Sequence, residues 1–225
     1  MFEIERTIIK LKDHKSQLEK AVRHLSKNDS KLRDIISQAG ECRIKPHKKY
    51  FELLVASIVG QQLSRYAARA IFNRFKNYFA PEKFPLSSDI IITPSEDLRK
   101  LGLSYAKIRC LKDLCEKITS KVIHLNKFSK MPDEEIINEL IKVKGIGVWT
   151  AQMFLMFSLG RLNVLPVGDL GIRKGIKNLY SLRNLPDEKK IRKISKENNW
   201  HPYNSVASWY VWRSLELNKK LKIKK

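Results

Sequence analysis

The chain is poor in the residues that staple or interrupt a structure. Its three cysteines, Cys42, Cys110 and Cys115, are odd in number and form no CxxC pair, which argues against both a disulfide framework and a four-thiolate iron–sulfur cluster. The longest apolar run, around Val148 to Leu159, falls well short of the roughly 20 residues that span a bilayer. The opening Met1-Phe-Glu-Ile-Glu-Arg is charged and has no apolar signal core, so a soluble, intracellular chain with reduced thiols is expected. Strand-like alternation and internal repeats are absent, which leaves helices as the regular structure and predicts an all-α fold. Acidic residues are scarce as well: 23 Asp and Glu stand against 45 Lys and Arg in 225 residues, a formal net charge of +22. Such an excess points to a polyanionic partner, nucleic acid before a membrane surface, although charge alone does not decide function.

What is present is a succession of amphipathic helices. From Asp13 to Leu25 the apolar positions Leu18, Ala21, Val22 and Leu25 share one helix face. Asn28-Asp29-Ser30 then caps a second helix that carries Leu32, Ile35 and Ile36 and ends at Gly40. A basic linker, Glu41 to Lys49, precedes the long periodic stretch Tyr50 to Phe79, which reads as two helices broken near Gly60 to Ser64. Pro81 to Pro94 holds three prolines and predicts an irregular connection. Ser95-Glu-Asp-Leu98 opens a short helix, and Gly102-Leu-Ser104 caps another with Ile108, Leu111, Leu114, Ile118 and Val122 on its face. Pro186-Asp-Glu188 starts a helix reaching about Lys196. The last stretch, from Leu217, is a basic tail expected to lack structure and to meet phosphate only loosely.

One stretch concentrates the chemistry. Pro132-Asp-Glu-Glu135 begins a short helix with Ile136, Ile137, Leu140 and Ile141 at helical spacing, ending near Val143. Lys144-Gly145-Ile-Gly147 follows as a tight turn in which both glycines allow positive φ and leave backbone N–H groups open to a ligand. Trp149 to Leu159 is apolar nearly all round and stops at Gly160, which predicts a buried central helix with its N-terminus at the turn. Free amides at a helix N-terminus attract phosphate, with Lys144 before the turn and the Thr150 hydroxyl after it. Downstream, Asp169 sits among Val167, Gly168, Leu170, Gly171 and Ile172, an acid at the start of a helix in apolar surroundings. A bland alternative stands beside each feature: a packing turn for the glycines, an ordinary N-cap for the aspartate, and core packing for Trp200, Trp209 and Trp212, which cluster within 13 positions.

Gly145-Ile-Gly-Val-Trp-Thr-Ala, Ile58-Val-Gly-Gln-Gln-Leu-Ser64, Gly102-Leu-Ser-Tyr-Ala-Lys107 and Trp200-His-Pro-Tyr-Asn-Ser-Val-Ala207 together resemble the helix-hairpin-helix-GPD superfamily of DNA glycosylases, in particular its alkylpurine branch of DNA-3-methyladenine glycosylase II type. The resemblance covers roughly residues 45 to 215. It implies a two-lobed helical fold with a central cleft and no N-terminal β-domain. In that scheme the chain is a single glycosylase unit of 1–225. Residues 45–130 form the lobe with a DNA-plugging loop, 131–180 the hairpin and the acid, 1–44 and 181–215 packing helices, and 216–225 the basic tail. Where Asn204 stands the family usually has arginine.

The resemblance also assigns roles. Asp169 is the catalytic carboxylate; Lys144, Gly145, Gly147 and Thr150 bind DNA phosphate; Gln62, or failing that Leu63, enters the duplex where the target base has left; Trp149, Trp212 and Met153 line the base pocket. Superfamily members that also cut the strand carry a lysine at the first residue of the second hairpin helix, where this chain has Trp149, so a monofunctional enzyme that leaves an abasic site is implied. No cofactor is expected. A monovalent cation bridging hairpin carbonyls to phosphate, as in some relatives, is neither required nor excluded. The implied partner is double-stranded DNA with damaged bases, bound by a monomer without any membrane. Two other readings remain open at this point: a non-catalytic hairpin module that only clamps DNA, and a glycosylase for oxidised or mismatched bases.

Overall fold

The computed structural model describes residues 2–80 and 84–223. Among them are twelve helices and no strand. The chain divides into two compact units, one of Met1–Pro46 with Leu155–Lys225 and the other of His47–Phe154.

The internal unit contains α3 (Tyr50–Gly60), α4 (Arg65–Tyr78), α5 (Ser87–Ile92), α6 (Ser95–Lys100), α7 (Tyr105–Thr119) and α8 (Asp133–Leu140), and it holds the start of α9 (Val148–Phe157). Its core is aliphatic along α3 and α7, where Leu54, Val55, Ile58, Val59, Leu111 and Leu114 are fully enclosed. Burial of each such side chain stabilises the unit by roughly 1.5–3 kcal/mol. Phe84 closes one side, with ring centroids 5.8 Å from Phe51 and 6.1 Å from both Phe72 and Phe75. Helices α4 and α7 start where a side chain satisfies an orphan amide: Ser64 Oγ accepts from Ala67 N at 3.2 Å and Ser104 Oγ from Lys107 N at 3.3 Å.

The other unit contains α1 (Phe2–Asn28), α2 (Ser30–Ala39), α10 (Leu170–Leu179), α11 (Glu188–Glu197) and α12 (Asn204–Ile223). Asp29 knits it together. One carboxylate oxygen caps α2 through Lys31 N at 3.0 Å and Leu32 N at 3.1 Å; the other accepts from Trp200 Nε1 at 2.8 Å and from the Tyr180 hydroxyl. Both aspartate and indole are buried, and the carboxylate is tolerated there because four donors replace its hydration. Burial, then the hydrogen bond to Asp29, pushes the Tyr180 phenol well above its ordinary value, so it remains a donor.

Three sequence expectations are corrected here. Ser87–Ile92 of the proline-rich connection is helical: the Asp89 carboxylate accepts from Leu86 N at 2.8 Å and Ile90 is buried; residues 81–83 of that connection lie outside the described residues. Helix α1 begins at Phe2 rather than near Asp13. Helix α12 continues to Ile223, through most of the segment expected to be irregular, and Lys224 and Lys225 lie outside the described residues.

Candidate active site and nucleic-acid interface

The hairpin is built from the inside outward. Helix α8 ends in a tightened turn, with Lys142 N on Glu139 O at 3.2 Å and Val143 N on Leu140 O at 3.1 Å, and Ile146 N closes back onto Val143 O at 3.0 Å. Val143 and Ile146 point into the core, which leaves Lys144, Gly145 and Gly147 on the surface. Gly145 has φ +92° and any Cβ there would sit 3.2 Å from Cys110 Cβ and Sγ, so the position requires glycine twice over. Gly147 differs from expectation: it does not adopt positive φ, and a Cβ would meet nothing within 4 Å. Its lack of a side chain serves open space in front of α9, whose first-turn N–H groups have no intrahelical acceptor. Lys144 is held by its backbone, N–H to Asp113 Oδ2 at 2.8 Å, while Asp113 Oδ1 pairs with Lys117 Nζ at 2.7 Å. Burial alone would raise the Asp113 carboxyl, but the hydrogen bonds from Lys117 and from Lys144 N hold it below its ordinary value.

Helix α9 is not buried all round. Ala151, Phe154, Leu155 and Met156 are enclosed, but Trp149 is 47% exposed and Val148 51%. Of the proposed pocket residues in this helix, Met153 is half-buried. Thr150 is only 5% exposed, unlike the surface residues of the turn before it.

In the same unit lies the Gln61–Ser64 loop, between α3 and α4. Gln62 and Leu63 are both exposed, and Gln62 has φ +56°, an uncommon state for a residue with a Cβ. Gln61 turns its side chain onto the hairpin, with Nε2 donating to Gly145 O at 3.1 Å. Below, Lys107 Nζ donates to Val59 O at 2.8 Å and fastens the end of α3; burial lowers the pKa of this amine. That bond gives the Lys107 of the Gly102–Lys107 motif a structural task.

Asp169 belongs to the other unit and caps α10. Its Oδ1 accepts from Ile172 N at 2.7 Å and from Trp212 Nε1 at 2.8 Å. The capping role and the proposed catalytic role therefore coexist on one carboxylate. Val167 and Ile172 are buried on either side, and Trp212 packs its ring against Phe157 at 5.8 Å between centroids. Gly171 is enclosed between the partners: a Cβ would lie 2.9 Å from Asp169 Oδ1 and equally close to Trp212 Cδ1 and Nε1. The segment leading to Asp169 is braced by the Trp200–Ser205 motif, through Ser205 N to Leu162 O at 2.9 Å and Val164 N to Ser205 Oγ at 2.8 Å. Asn204 is consumed internally, accepting from Ser195 Oγ at 2.6 Å and donating to Asn163 Oδ1 at 2.8 Å. Of the three clustered tryptophans, Trp200 is core, and Trp212 is the one at the acid.

Sequence reasoning missed Asp113, Gln61 and the bond from Trp212 to Asp169. Only Gln61 left a trace, as the first of two adjacent amides. Among the described residues no group of three or more His, Cys, Asp or Glu could hold a metal ion. Burial pushes all three thiols up to about 12, which keeps them protonated and unreactive.

Residues 55–200 match the family model described as HhH-GPD superfamily base excision DNA repair protein. The chain is 35% identical over 206 residues to DNA-3-methyladenine glycosylase 1 of Schizosaccharomyces pombe, covering 90% of each protein. It is 30% identical over 209 residues to the alkylbase DNA glycosidase-like protein mag2 of the same yeast, covering 91% of this chain and 97% of that one. Among solved structures, the S. pombe 3-methyladenine DNA glycosylase Mag1 in complex with abasic DNA superposes with a TM-score of 0.78 at 35% identity, over 86% of this chain and 95% of that one.

Proposed function

Because the chain belongs to the HhH-GPD superfamily of base excision DNA repair proteins, we propose that it is a monofunctional DNA glycosylase, one that everts alkylated purines of the 3-methyladenine and 7-methylguanine type and hydrolyses their N-glycosidic bond. Chemistry at C1′ demands that the nucleotide leave the stack, since the duplex shields the bond. The N-terminus of α9 with Gly147 takes a backbone phosphate, and Lys144 adds charge. Gln62, with Leu63 beside it, fills the space the base vacates. A purine alkylated at N3 or N7 is cationic, so an electron-rich indole favours it and the base departs without needing an acid. Trp212 is the residue whose indole ring is fixed at the acid; Trp149 is the exposed one on α9, and Met153 completes the proposed lining.

The observation that carries the reading is the carboxylate of Asp169, fixed through one oxygen by Ile172 N and Trp212 Nε1. As the bond from C1′ to the base nitrogen breaks and its electron pair leaves with the base, the sugar becomes an oxocarbenium ion. An oriented carboxylate stabilises that charge. Water then adds to C1′ and loses its proton to the carboxylate, which yields the abasic sugar. Trp149 stands where strand-cutting relatives place a lysine, so no Schiff base forms. The substrate places the protein with the cell's DNA, in a nucleoid or a nucleus, and it works as a monomer.

The test incubates wild type and Asp169→Asn with methylated duplex DNA and measures free bases by chromatography. Wild type releases 3-methyladenine and leaves alkali-labile sites without cutting the strand, and the variant releases almost none while still binding the duplex. Equal release by both, or by neither, overturns the assignment.

A further inference from the structure

The two adjacent amides of the plug loop divide their labour. Gln62 is exposed and is assigned to the duplex, but Gln61 faces the other way, Nε2 onto Gly145 O at 3.1 Å. A carbonyl oxygen can only accept, so the amide nitrogen is necessarily the atom presented. One end of this bond lies on the loop that enters DNA and the other on the turn that holds phosphate. The bond uses no backbone N–H of Gly147 or of α9, so it leaves the groups proposed to meet phosphate untouched.

The surroundings make this bond a register mark. Gln62, at φ +56°, occupies a backbone state that persists only where its neighbours over-determine it. Three contacts do so: Leu63 N to Gly60 O at 3.2 Å, Ala67 N to Ser64 Oγ at 3.2 Å, and the Gln61 amide to Gly145. The first two are internal to the loop and its helix, whereas the third refers it to an outside frame. That frame is anchored in turn, because Lys144 N donates to Asp113 Oδ2 at 2.8 Å.

We propose that Gln61 is a positioning residue that sets the plug loop in register with the phosphate-binding turn through its hydrogen bond to Gly145, so that filling the vacated space and clamping the backbone occur as one event. The inference rests on the glycosylase reading and adds a residue to it that does not itself touch DNA. Two variants separate the bond from the bulk of the side chain. Gln61→Glu keeps the shape but replaces the donor by an oxygen, and Gln61→Met keeps the length without donor or charge.

The experiment compares wild type, Gln61→Glu and Gln61→Met on a duplex containing a tetrahydrofuran abasic analogue and on its undamaged counterpart. Dissociation constants are read by anisotropy, local unstacking by a 2-aminopurine beside the analogue, and folding by thermal melting. Loss of one neutral hydrogen bond predicts about threefold to tenfold weaker preference for the analogue over the undamaged duplex in both variants, with the melting temperature lowered by no more than a few degrees. The 2-aminopurine signal falls in the same proportion. Wild-type preference for the analogue in both variants overturns the proposal. So does equal weakening on both duplexes with a lowered melting temperature, which makes Gln61 a packing residue. If wild type itself neither prefers the analogue nor frees a base, it is the glycosylase reading that fails, and this inference falls with it.

Discussion

Trp212 donates its indole N–H to Asp169 Oδ1 at 2.8 Å, so the residue proposed to offer a ring face to a base also orients the acid. The two lie far apart in the sequence, on α12 and at the cap of α10. Trp212→Phe keeps an aromatic face and removes only the donor. With a charged acceptor, the lost bond predicts a fall in kcat of between about tenfold and a hundredfold. Affinity for abasic-analogue DNA changes far less. Single-turnover release of 3-methyladenine measures the first and anisotropy the second. Unchanged kcat would show that the carboxylate stays oriented without the indole N–H.

Gly171 lies between these partners, with no room for a methyl group beside either. Gly171→Ala therefore forces the indole and the carboxylate apart, because both are held by their own helices. Overpacking of this kind costs roughly 1–3 kcal/mol. Most of the effect is expected in kcat, with a fall of at least about tenfold and only a few degrees lost in melting temperature. Activity within a factor of two of wild type would mean that the pair yields without consequence.

Most of the helices could be read from the chain because their signals are local. Asp29 caps α2, with Gly40 at φ +74° beyond its end, and Ser104 and Asp187 cap α7 and α11 where the capping residues and apolar spacing indicate. Helix α5 was hidden because prolines flank it without entering it; Pro85 and Pro94 bound a segment that its buried Ile90 holds in place. The candidate site was legible only as residue types in order. That Trp212 reaches Asp169, or that Asn204 is spent on Ser195 and Asn163, depends on helix packing between residues with no local pattern. The exposure of Trp149 is invisible for the same reason: an apolar helix reads as buried from every side, whereas a site for a base needs one side open.

Acid should loosen the hairpin through Asp113. Its folded pKa lies below the ordinary 3.8, so its contribution to stability is complete above the unfolded value and disappears as pH falls through the folded one. Urea unfolding of wild type and Asp113→Asn between pH 6 and pH 3 measures this. Wild type is the more stable at pH 6, and the gap closes below about pH 4. A gap that stays constant across that range would show that the ionised carboxylate contributes nothing to holding Lys144 N.

The two glycines of the turn should respond to alanine in opposite ways. At Gly145, φ +92° and the contact with Cys110 both oppose a Cβ, so Gly145→Ala should destabilise the protein by roughly 1–3 kcal/mol and weaken DNA binding only as folding is lost. At Gly147 the backbone is ordinary and the space in front is empty. Gly147→Ala should melt at or slightly above the wild-type temperature, since alanine narrows the unfolded ensemble. Its methyl group would nonetheless stand where the proposed phosphate approaches α9, so affinity for duplex DNA should fall about tenfold or more, with the slope of log K on log salt little changed because no cation is lost. Melting curves and salt-titrated anisotropy on the two variants decide the matter. If Gly147→Ala binds as wild type does, the N-terminus of α9 is not the phosphate site, and the turn is a packing element alone.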